Sequence, residues 1–346
     1  MLSALKRIGR TIKIIVFLAV AGVVCVAVVV IFTGPFASSA EKVTWGVTFS
    51  SVQAERLGVD VREAYGAVVN ELSPARLRIP LYWDRIEKTQ GVFDFSEYDW
   101  QLAEAEKNNI GVVFVVGWRT PRWPECHMPQ WVRDSGGSAW DNAVLSMVDA
   151  VVRHFNARDG VVAWQVENEP FLRFFGECKP TDPALLRREV DAVKALDPVR
   201  PVIVTDSGEL GDWVRAASYG DIFGTTMYRK VPGWGIFGKY TTYPLPPQFY
   251  RLKGNVVSKF SPLSRLIVSE LQGEPWVIGT PTASDVPLEE QYETVNPEYF
   301  KEIIGYATKA GIEEVYWWGA EWWYWLRVHG HPEIWETAKS LFAGSI

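Results

Sequence analysis

Cysteine is scarce in this chain of 346 residues, which contains only three. Cys25 lies inside an apolar run and reads as a small hydrophobic residue. No spaced set of cysteines and histidines accompanies Cys126 and Cys178, so a metal site is disfavoured and we expect no metal or other cofactor. In an exported domain, Cys126 and Cys178 are a candidate disulfide.

Other common features are missing as well. The formal net charge is -6, and without an excess of positive charge nucleic acid is disfavoured as a partner. The chain has no internal repeat and no low-complexity segment. Residues 49–52 read Phe-Ser-Ser-Val after the first predicted strand, so the glycine-rich phosphate turn of a doubly wound sheet is absent.

Aromatic residues are abundant, at 14% of the chain with 17 tryptophans. Tryptophan is a costly residue to use as filler, and flat rings often form surfaces that stack on flat ligands. Sugar rings, with their apolar C–H faces, are such a ligand. Much of the tryptophan must also belong to an ordinary buried core.

A long apolar run without charge occupies residues 14–32. Its length is close to the roughly 20 residues that span a bilayer. Basic residues precede it, namely Lys6, Arg7, Arg10 and Lys13. Because positive charge stays on the cytoplasmic side, the sequence predicts a basic cytoplasmic tail over 1–13, a transmembrane signal anchor over 14–32 and a linker over 33–41. The domain over 42–346 is then extracytoplasmic, at the cell surface or in the periplasm.

A cleaved signal peptide is the rival interpretation of the N-terminus. Ser38, Ser39 and Ala40 form a passable cleavage site, but the apolar run exceeds the usual core of about 7–15 residues in a signal peptide. We therefore favour the uncleaved anchor, which makes the membrane a partner of this chain.

From residue 42 onwards, short apolar strands alternate with helical segments. The predicted strands cover 43–47, 75–80, 111–116, 161–170, 201–205, 222–228, 265–270 and 314–318. The predicted helices cover 61–72, 98–108, 141–156, 183–196, 211–217, 297–310 and 332–342. Parallel strands covered by helices give this pattern, and eight strands over roughly 300 residues fit a (β/α)8 barrel. We therefore predict an α/β fold, a TIM barrel preceded by a single N-terminal transmembrane helix.

Function in such a barrel lies at the C-terminal ends of the strands. The fourth predicted strand stops in Asn168-Glu169-Pro170, and proline has no N–H to continue a ladder. Glu270 ends the seventh strand, so the two glutamates are expected across the mouth from each other. Two carboxylates that face one site cannot both ionise cheaply, so one serves as acid and the other as nucleophile or base, as in glycoside hydrolysis.

In these motifs the chain resembles the clan A glycoside hydrolases, which are retaining enzymes on (β/α)8 barrels. Asn168-Glu169-Pro170 matches the Asn-Glu pair that ends strand four, and residues 267–270, Ile-Val-Ser-Glu, match the strand-seven motif. The supporting residues are Arg78 on strand two, Tyr228 on strand six and Trp318 on strand eight. Residues 83–87 and 91–95 are similar to cellulase-like and β-galactosidase-like members. The resemblance begins at about residue 44 and selects no single family within the clan.

The resemblance implies a role for each of these residues. Glu169 is expected to be the acid/base with a raised pKa, and Glu270 the nucleophile. Arg78 and Tyr228 are expected to donate hydrogen bonds to Glu270. Further substrate contacts are expected from Asn168 at the sugar 2-hydroxyl, from Trp318 under the sugar ring and from Trp118. Glu167 precedes Glu169 by two residues on the same strand face, so it either binds a substrate hydroxyl, which is preferred, or pairs with an arginine.

Some positions keep two interpretations. Glu274, in the loop beyond strand seven, is an alternative nucleophile to Glu270. Trp317 and Trp318 point opposite ways on their strand, so only one faces the site, and Trp318 is preferred. Residues 322–325, Trp-Trp-Tyr-Trp, form either a subsite wall or core beneath the rim.

We expect a membrane-anchored, outward-facing retaining glycoside hydrolase that cleaves an oligo- or polysaccharide by double displacement. A transglycosylase on the same site is one alternative, and a catalytically silent carbohydrate-binding barrel is another. A barrel enzyme for phosphorylated metabolites is disfavoured, since no glycine-rich phosphate loop follows strands seven or eight. The sugar, the linkage and the choice between exo and endo action depend on loop shapes that residue spacing does not encode.

Overall fold

The computed structural model describes the backbone of residues 2–33, 38–133, 135, 137–173, 175–233, 238–280 and 282–345. In the first helix, side chains are described at 12–26, 28 and 29. The account of the fold and of the site is confined to these residues.

A closed barrel of parallel strands forms the body of the molecule. Its strands are β1 Thr44–Thr48, β2 Arg76–Pro80, β3 Gly111–Val116, β4 Val161–Val166, β5 Val202–Asp206, β6 Ile222–Met227, β7 Leu266–Gln272 and β8 Glu314–Trp318. Each strand pairs with its neighbours in chain order, and β1 closes the ring by pairing with β8. The predicted (β/α)8 barrel is therefore confirmed.

The strands are buried on both faces because helices cover the outside and side chains fill the inside. All six residues of β3, Gly-Val-Val-Phe-Val-Val, are buried. One apolar cluster joins the outer faces of the strands to the helices. A second, separate cluster fills the barrel interior with Val113, Ala163, Ile203, Ile222, Ile267 and Tyr316. Polar residues further along the same strands therefore lie above this apolar layer, at the C-terminal mouth.

Helices connect the strands and surround the barrel. They are α1 Leu2–Thr33, α2 Ser51–Arg56, α3 Val61–Ala67, α4 Trp83–Ile86, α5 Ser96–Lys107, α6 Gln130–Arg133, α7 Ser138–Phe155, α8 Pro183–Leu196, α9 Phe249–Val257, α10 Leu288–Gln291, α11 Pro297–Ala310, α12 Ala320–Val328 and α13 Glu333–Phe342. A π-helical turn, Val68–Leu72, extends α3. A short antiparallel hairpin, Lys230–Pro232 with Tyr240–Thr242, follows β6. The sequence predicted α8 and α11 with their observed bounds.

The helix predicted over 211–217 is wrong. The structure has only a 3-10 turn, Ala216–Ser218, in this region. The Asp206 carboxylate accepts hydrogen bonds from the backbone N–H groups of Ser207 (2.8 Å) and Trp213 (3.2 Å). Trp213 has a φ of 70°, a left-handed conformation that ends any regular helix. A side chain at the strand end thus organises the segment that periodicity assigned to a helix.

The N-terminal helix α1 covers Leu2–Thr33 and so contains the run predicted to cross a membrane. Within the residues that the structure describes, no helix is long and apolar enough to span a bilayer. The side chains of residues 27 and 30–32 of the predicted span lie outside the described residues, as do 34–37 of the predicted linker.

A disulfide joins Cys126 to Cys178, with 5.4 Å between their Cα atoms. Cys126 lies in the connection after β3 and Cys178 in the connection after β4. A backbone hydrogen bond also joins the two connections, from the Glu177 N–H to the Pro124 carbonyl at 3.0 Å. The two connections therefore form one tied wall at the mouth of the barrel.

Candidate active site

A cavity of about 560 Å³ opens at the C-terminal mouth of the barrel. Its volume falls within the roughly 300–1,000 Å³ of small-molecule binding sites. The lining side chains come from the connections after β3 to β7 and from the ends of β6, β7 and β8, and Glu169 and Glu270 are both among them. The mouth of the barrel thus brings together the two carboxyl groups that the sequence singled out.

Glu270 lies near the C-terminal end of β7, and each of its two carboxylate oxygens accepts a hydrogen bond. Its Oε1 accepts a hydrogen bond from Arg78 Nη1 at 3.1 Å, and its Oε2 accepts one from the Tyr228 hydroxyl at 3.1 Å. Arg78 is 1% exposed and Glu270 5%, so the ion pair is largely shielded from water. A carboxylate with a guanidinium and a hydroxyl directed at its two oxygens is stabilised as an anion. Both predicted contacts to Glu270 are present.

Two side chains, one in β4 and one just beyond its end, hold the Arg78 guanidinium in place. Its Nε donates to Gln165 Oε1 at 2.7 Å, and its Nη2 donates to Asn168 Oδ1 at 2.9 Å. Asn168 Nδ2 is directed at Glu125 Oε1, at 3.4 Å. The guanidinium therefore connects the end of β4 to the end of β7, and the amide of Asn168 is oriented beside the two carboxyl groups.

Glu169 has the opposite environment. Its backbone N–H donates to Thr205 Oγ1 at 2.9 Å, and its side chain is buried with no cation paired to it among the described residues. Burial raises the pKa of Glu169 well above its usual range, and the negative charges of Glu270, Glu125 and Asp206 raise it further. Glu169 is thus favoured as the proton-bearing acid and Glu270 as the anion.

Two further carboxyl groups in the cavity were missed by the sequence analysis. Burial raises the pKa of Glu125 to about 8, although Arg119 beside it, at 3.2 Å, acts to lower it. Burial also raises the pKa of Glu209 to about 7, against the lowering effect of the Tyr250 hydroxyl, which donates to Glu209 Oε1 at 2.7 Å. Both residues lie in irregular segments after β3 and β5, where no periodicity signals that a side chain faces inward.

Arg122 and Trp318 form another part of the cavity wall. The Arg122 guanidinium lies over the Trp318 ring, 3.8 Å from its centroid, and pairs with Glu321 at 2.9 Å and with Glu274. Trp317 points away from the cavity and stacks on Phe300, with 4.5 Å between ring centroids. Trp318 rather than Trp317 therefore faces the site, as preferred from the sequence.

The sequence comparisons agree with this geometry. The profile of glycosyl hydrolase family 10 matches residues 77–178, which run from β2 through the Asn168-Glu169 pair to the disulfide. No curated protein sequence matches the chain. The match to this profile and the closed eight-stranded barrel fit a clan A glycoside hydrolase. The profile covers less than half of the sequence, so it selects no family within the clan.

Solved structures of glycosidases share this barrel. A GH5_18 protein from Streptomyces cattleya, solved with GlcNAc, has a TM-score of 0.57 and 14% identity, over 81% of this chain and 71% of that chain. A family 10 endo-beta-1,4-xylanase from Gloeophyllum trabeum has a TM-score of 0.53 and 15% identity, over 83% and 87%. A beta-galactosidase from Marinomonas ef1 has a TM-score of 0.54 and 13% identity, over 79% of this chain and only 53% of that chain. At these identities the likeness shows the fold alone.

Glu167, a predicted substrate contact, is not among the described residues that line the cavity. Its carboxylate accepts hydrogen bonds from the backbone N–H groups of residues 118 (3.1 Å) and 119 (2.8 Å). It also faces Glu189 of α8, and burial raises its pKa to about 7. Strand β4 ends at Val166, and φ is 60° at Glu167 and 43° at Glu169. The alternation that placed Glu167 and Glu169 on one face therefore stops before either residue.

Trp118, another predicted substrate contact, is also not among the described residues that line the cavity. Trp118 is 6% exposed and packs edge-on against Trp140, with 5.5 Å between ring centroids, so it supports the β3 connection from behind. Trp322 and Trp323 are fully buried core residues of α12. Trp322 and Trp323 therefore belong to the core beneath the rim and not to a subsite wall.

Proposed function

We propose that this protein is a retaining glycoside hydrolase that cleaves an oligo- or polysaccharide, with Glu270 as nucleophile and Glu169 as acid/base. The observation that carries the proposal is the unequal environment of the two carboxyl groups. Glu270 receives hydrogen bonds from Arg78 and Tyr228 at 3.1 Å each, whereas the buried Glu169 lies among other carboxylates. This arrangement supports one acid and one anion at the same pH.

In the first step, Glu169 donates its proton to the glycosidic oxygen as the bond to the anomeric carbon breaks. The Glu270 carboxylate attacks that carbon and forms a covalent glycosyl ester, and the leaving group departs as an alcohol. A separation of about 5–5.5 Å between the two carboxyl groups is expected for this mechanism. Asn168, oriented by Arg78 at 2.9 Å, is the proposed partner of the sugar 2-hydroxyl, and Trp318 the proposed surface beneath the ring.

In the second step, Glu169 accepts a proton from water, and the resulting hydroxide attacks the anomeric carbon and releases Glu270. The same electrostatics support this change of role. The negative charge of Glu270 is one cause of the raised pKa of Glu169, and that charge disappears when Glu270 becomes an ester. The pKa of Glu169 therefore falls in the intermediate, where a base is needed.

Activity on a panel of 4-nitrophenyl glycosides of both anomeric configurations tests this proposal. Glu169→Gln should still release 4-nitrophenol in a rapid burst, because this leaving group needs little protonation, and should then turn over slowly, because the second step lacks its base. Glu270→Gln should abolish activity on all substrates. Glu302→Gln, an exposed change on α11 and remote from the mouth, is the matched control and should behave as wild type. Equal activity in wild type, Glu169→Gln and Glu270→Gln would remove the proposal.

We also propose that residues 14–32 anchor the protein in a membrane and that residues 42–346 lie outside the cytoplasm, joined by a linker over 33–41. The uncharged apolar run that follows the basic segment 1–13 supports the anchor. The disulfide between Cys126 and Cys178 fits an oxidising compartment.

Fractionation tests the anchor directly. The full chain should remain with membranes after an alkaline wash, and protease added to spheroplasts should reach the barrel. A chain that begins at residue 42 should be soluble. Release of the full chain by the wash, or protection of the barrel in spheroplasts, would contradict the anchored arrangement.

A further inference from the structure

The cavity lies to one side of the barrel mouth. Its lining residues belong to the connections after β3 to β7 and to the ends of β6, β7 and β8, and within the described chain no residue from the connections after β1 or β2 lines it. In the closed barrel, β1 and β2 lie between β8 and β3. Phe49 and Ser50 after β1 and Tyr82 after β2 are fully buried, so protein fills the sector of the mouth above these two strands.

An ion-pair network fills this sector. Arg122, in the connection after β3, reaches across the mouth to Glu321 Oε2 at 2.9 Å and to Glu274 Oε1. Glu321 begins the helix after β8, and Glu274 follows β7. All three side chains are buried, at 4%, 0% and 8% exposure for Arg122, Glu321 and Glu274. We name these three residues the plug.

A second layer supports the plug from below. The Ser50 N–H, after β1, donates to Glu321 Oε1. The hydroxyls of Ser50 and Tyr82 are 2.5 Å apart, and the Tyr82 hydroxyl donates to the Pro121 carbonyl at 3.1 Å. Connections after β1, β2, β3, β7 and β8 thus converge on one buried network. Removing one partner of such a buried ion pair destabilises the fold strongly, because the remaining charge is left uncompensated.

The backbone at Arg122 is also unusual. Its φ is 92°, a left-handed conformation that is costly for a residue with a Cβ. The surrounding contacts hold this conformation and direct the guanidinium over the Trp318 ring at 3.8 Å. The plug therefore closes the cavity beside the Trp318 surface that is proposed to lie beneath the sugar, and a longer saccharide cannot continue past it.

The orientation of a bound saccharide follows from the two carboxyl groups. The leaving group must lie beside the acid, Glu169, at the end of β4. The open part of the cavity continues on that side, past Leu172, Glu209, Tyr243 and Thr280 in the connections after β4 to β7. The sugar that forms the ester with Glu270 therefore has the leaving group toward the open side and its non-reducing end toward the plug.

We propose that the plug limits the glycone side to a single sugar, so that the enzyme removes sugars one at a time from the non-reducing end. This inference rests on the proposed function for its orientation. It assigns Arg122, Glu274 and Glu321 a role in substrate selection that is separate from bond cleavage.

The test uses an oligosaccharide of whichever sugar the 4-nitrophenyl panel selects, labelled at its reducing end with 2-aminobenzamide. A matched oligosaccharide carries a 4,6-acetal cap on its non-reducing sugar. The wild type should shorten the uncapped chain by one sugar at a time and cleave the capped chain at least about 100-fold more slowly. Internal fragments at early times, or equal cleavage of both chains, would overturn the inference.

Binding separates this inference from the proposed function. In Glu169→Gln, calorimetry should detect the uncapped chain and not the capped one. If the wild type binds with this preference but cleaves neither chain, hydrolysis fails and the closed glycone side stands. Equal binding of both chains, or binding of neither, would overturn the closed glycone side.

Removing the plug supplies the second variant. Arg122→Ala should raise the ratio of capped to uncapped cleavage at least about tenfold, because the space over Trp318 becomes available. Arg122→Lys should change the ratio less, and Arg133→Ala, an exposed arginine of the same connection, should leave it unchanged. Thermal melts establish that each variant is folded. An unchanged ratio in folded Arg122→Ala would show that the plug does not set the selectivity.

Discussion

Tyr228→Phe removes a single hydroxyl from the proposed nucleophile. The phenol donates to Glu270 Oε2 at 3.1 Å, and its ring packs edge-on against Trp276 with 5.8 Å between centroids. Burial and then the charge of Glu270 raise the pKa of Tyr228 well above its usual range, so the phenol remains a donor at every working pH. Phenylalanine keeps the ring contact, so the substitution isolates the hydrogen bond.

The expected loss follows from the strength of that bond. A hydrogen bond to a charged group contributes about 1.5–3 kcal/mol, because the donor stabilises a charge that is shielded from water. If the bond helps to place the Glu270 carboxylate for attack, the loss in kcat/KM is roughly 10- to 150-fold. Arg78 still pairs with Glu270 in the variant, so the carboxylate remains in the site.

Initial rates on a 4-nitrophenyl glycoside measure this loss. Tyr243→Phe is the matched control, because it removes the same hydroxyl group from a tyrosine that lines the same cavity. Among the described contacts, the Tyr243 hydroxyl makes none to Glu270. The control should stay within about threefold of wild type. A Tyr228→Phe variant with wild-type kinetics, or an equal loss in both variants, would refute the reasoning.

Three further changes should have distinct signatures. Glu125→Gln removes a negative charge that raises the pKa of Glu169, so the basic limb of the kcat/KM profile should move to lower pH. Replacing Cys126 and Cys178 by serine opens a loop with a separation of 52 residues and should lower the free energy of unfolding by about 4 kcal/mol in urea titrations. Burial raises the pKa of Glu189 in the folded state, so its stability contribution is lost as pH rises, and Glu189→Gln should flatten the decline in stability between about pH 4.3 and neutral pH.

Each of these three expectations has an outcome that contradicts it. If the basic limb of the kcat/KM profile does not move in Glu125→Gln, the charge of Glu125 does not raise the pKa of Glu169. Unchanged unfolding in the serine variant would show that the disulfide does not constrain the unfolded chain. If the stability of Glu189→Gln falls with rising pH as steeply as that of wild type, the buried Glu189 carboxyl is not the cause of the decline.

Much of the barrel was predictable because each strand is a short apolar run with a burial pattern that the sequence displays directly. Strand β3 is buried at all six positions, and the sequence predicted its bounds. Arg78 and Glu270 both lie within strands, and the contact between them that the resemblance to the clan implied is present.

The connections were less predictable because their side chains follow local backbone geometry rather than a period. Arg122, Glu125 and Glu167 all have positive φ values, of 92°, 68° and 60°. A left-handed residue reverses the direction of the chain, so alternation no longer tells which side chain faces the cavity. Glu167 was consequently placed in the site, whereas Glu125 and the plug arginine were not.

Long-range pairing explains the remaining difference. Arg122 and Glu321 are 199 residues apart in the sequence, and their contact depends on two connections that meet only at the mouth of the closed barrel. No local pattern marks either residue as a partner of the other. The closed glycone side therefore follows from the three-dimensional arrangement, whereas the two carboxyl groups could be found from strand ends.

The central claim is that Glu270 forms a covalent bond to the sugar. Treatment with the 2-deoxy-2-fluoro derivative of the preferred aryl glycoside, followed by peptide mass spectrometry, tests it most directly because the fluorine slows hydrolysis of the intermediate. The account predicts a single glycosylated peptide that carries the sugar on Glu270. Attachment to Glu274 instead, or turnover of the unfluorinated substrate with no adduct from the fluorinated one, would contradict it.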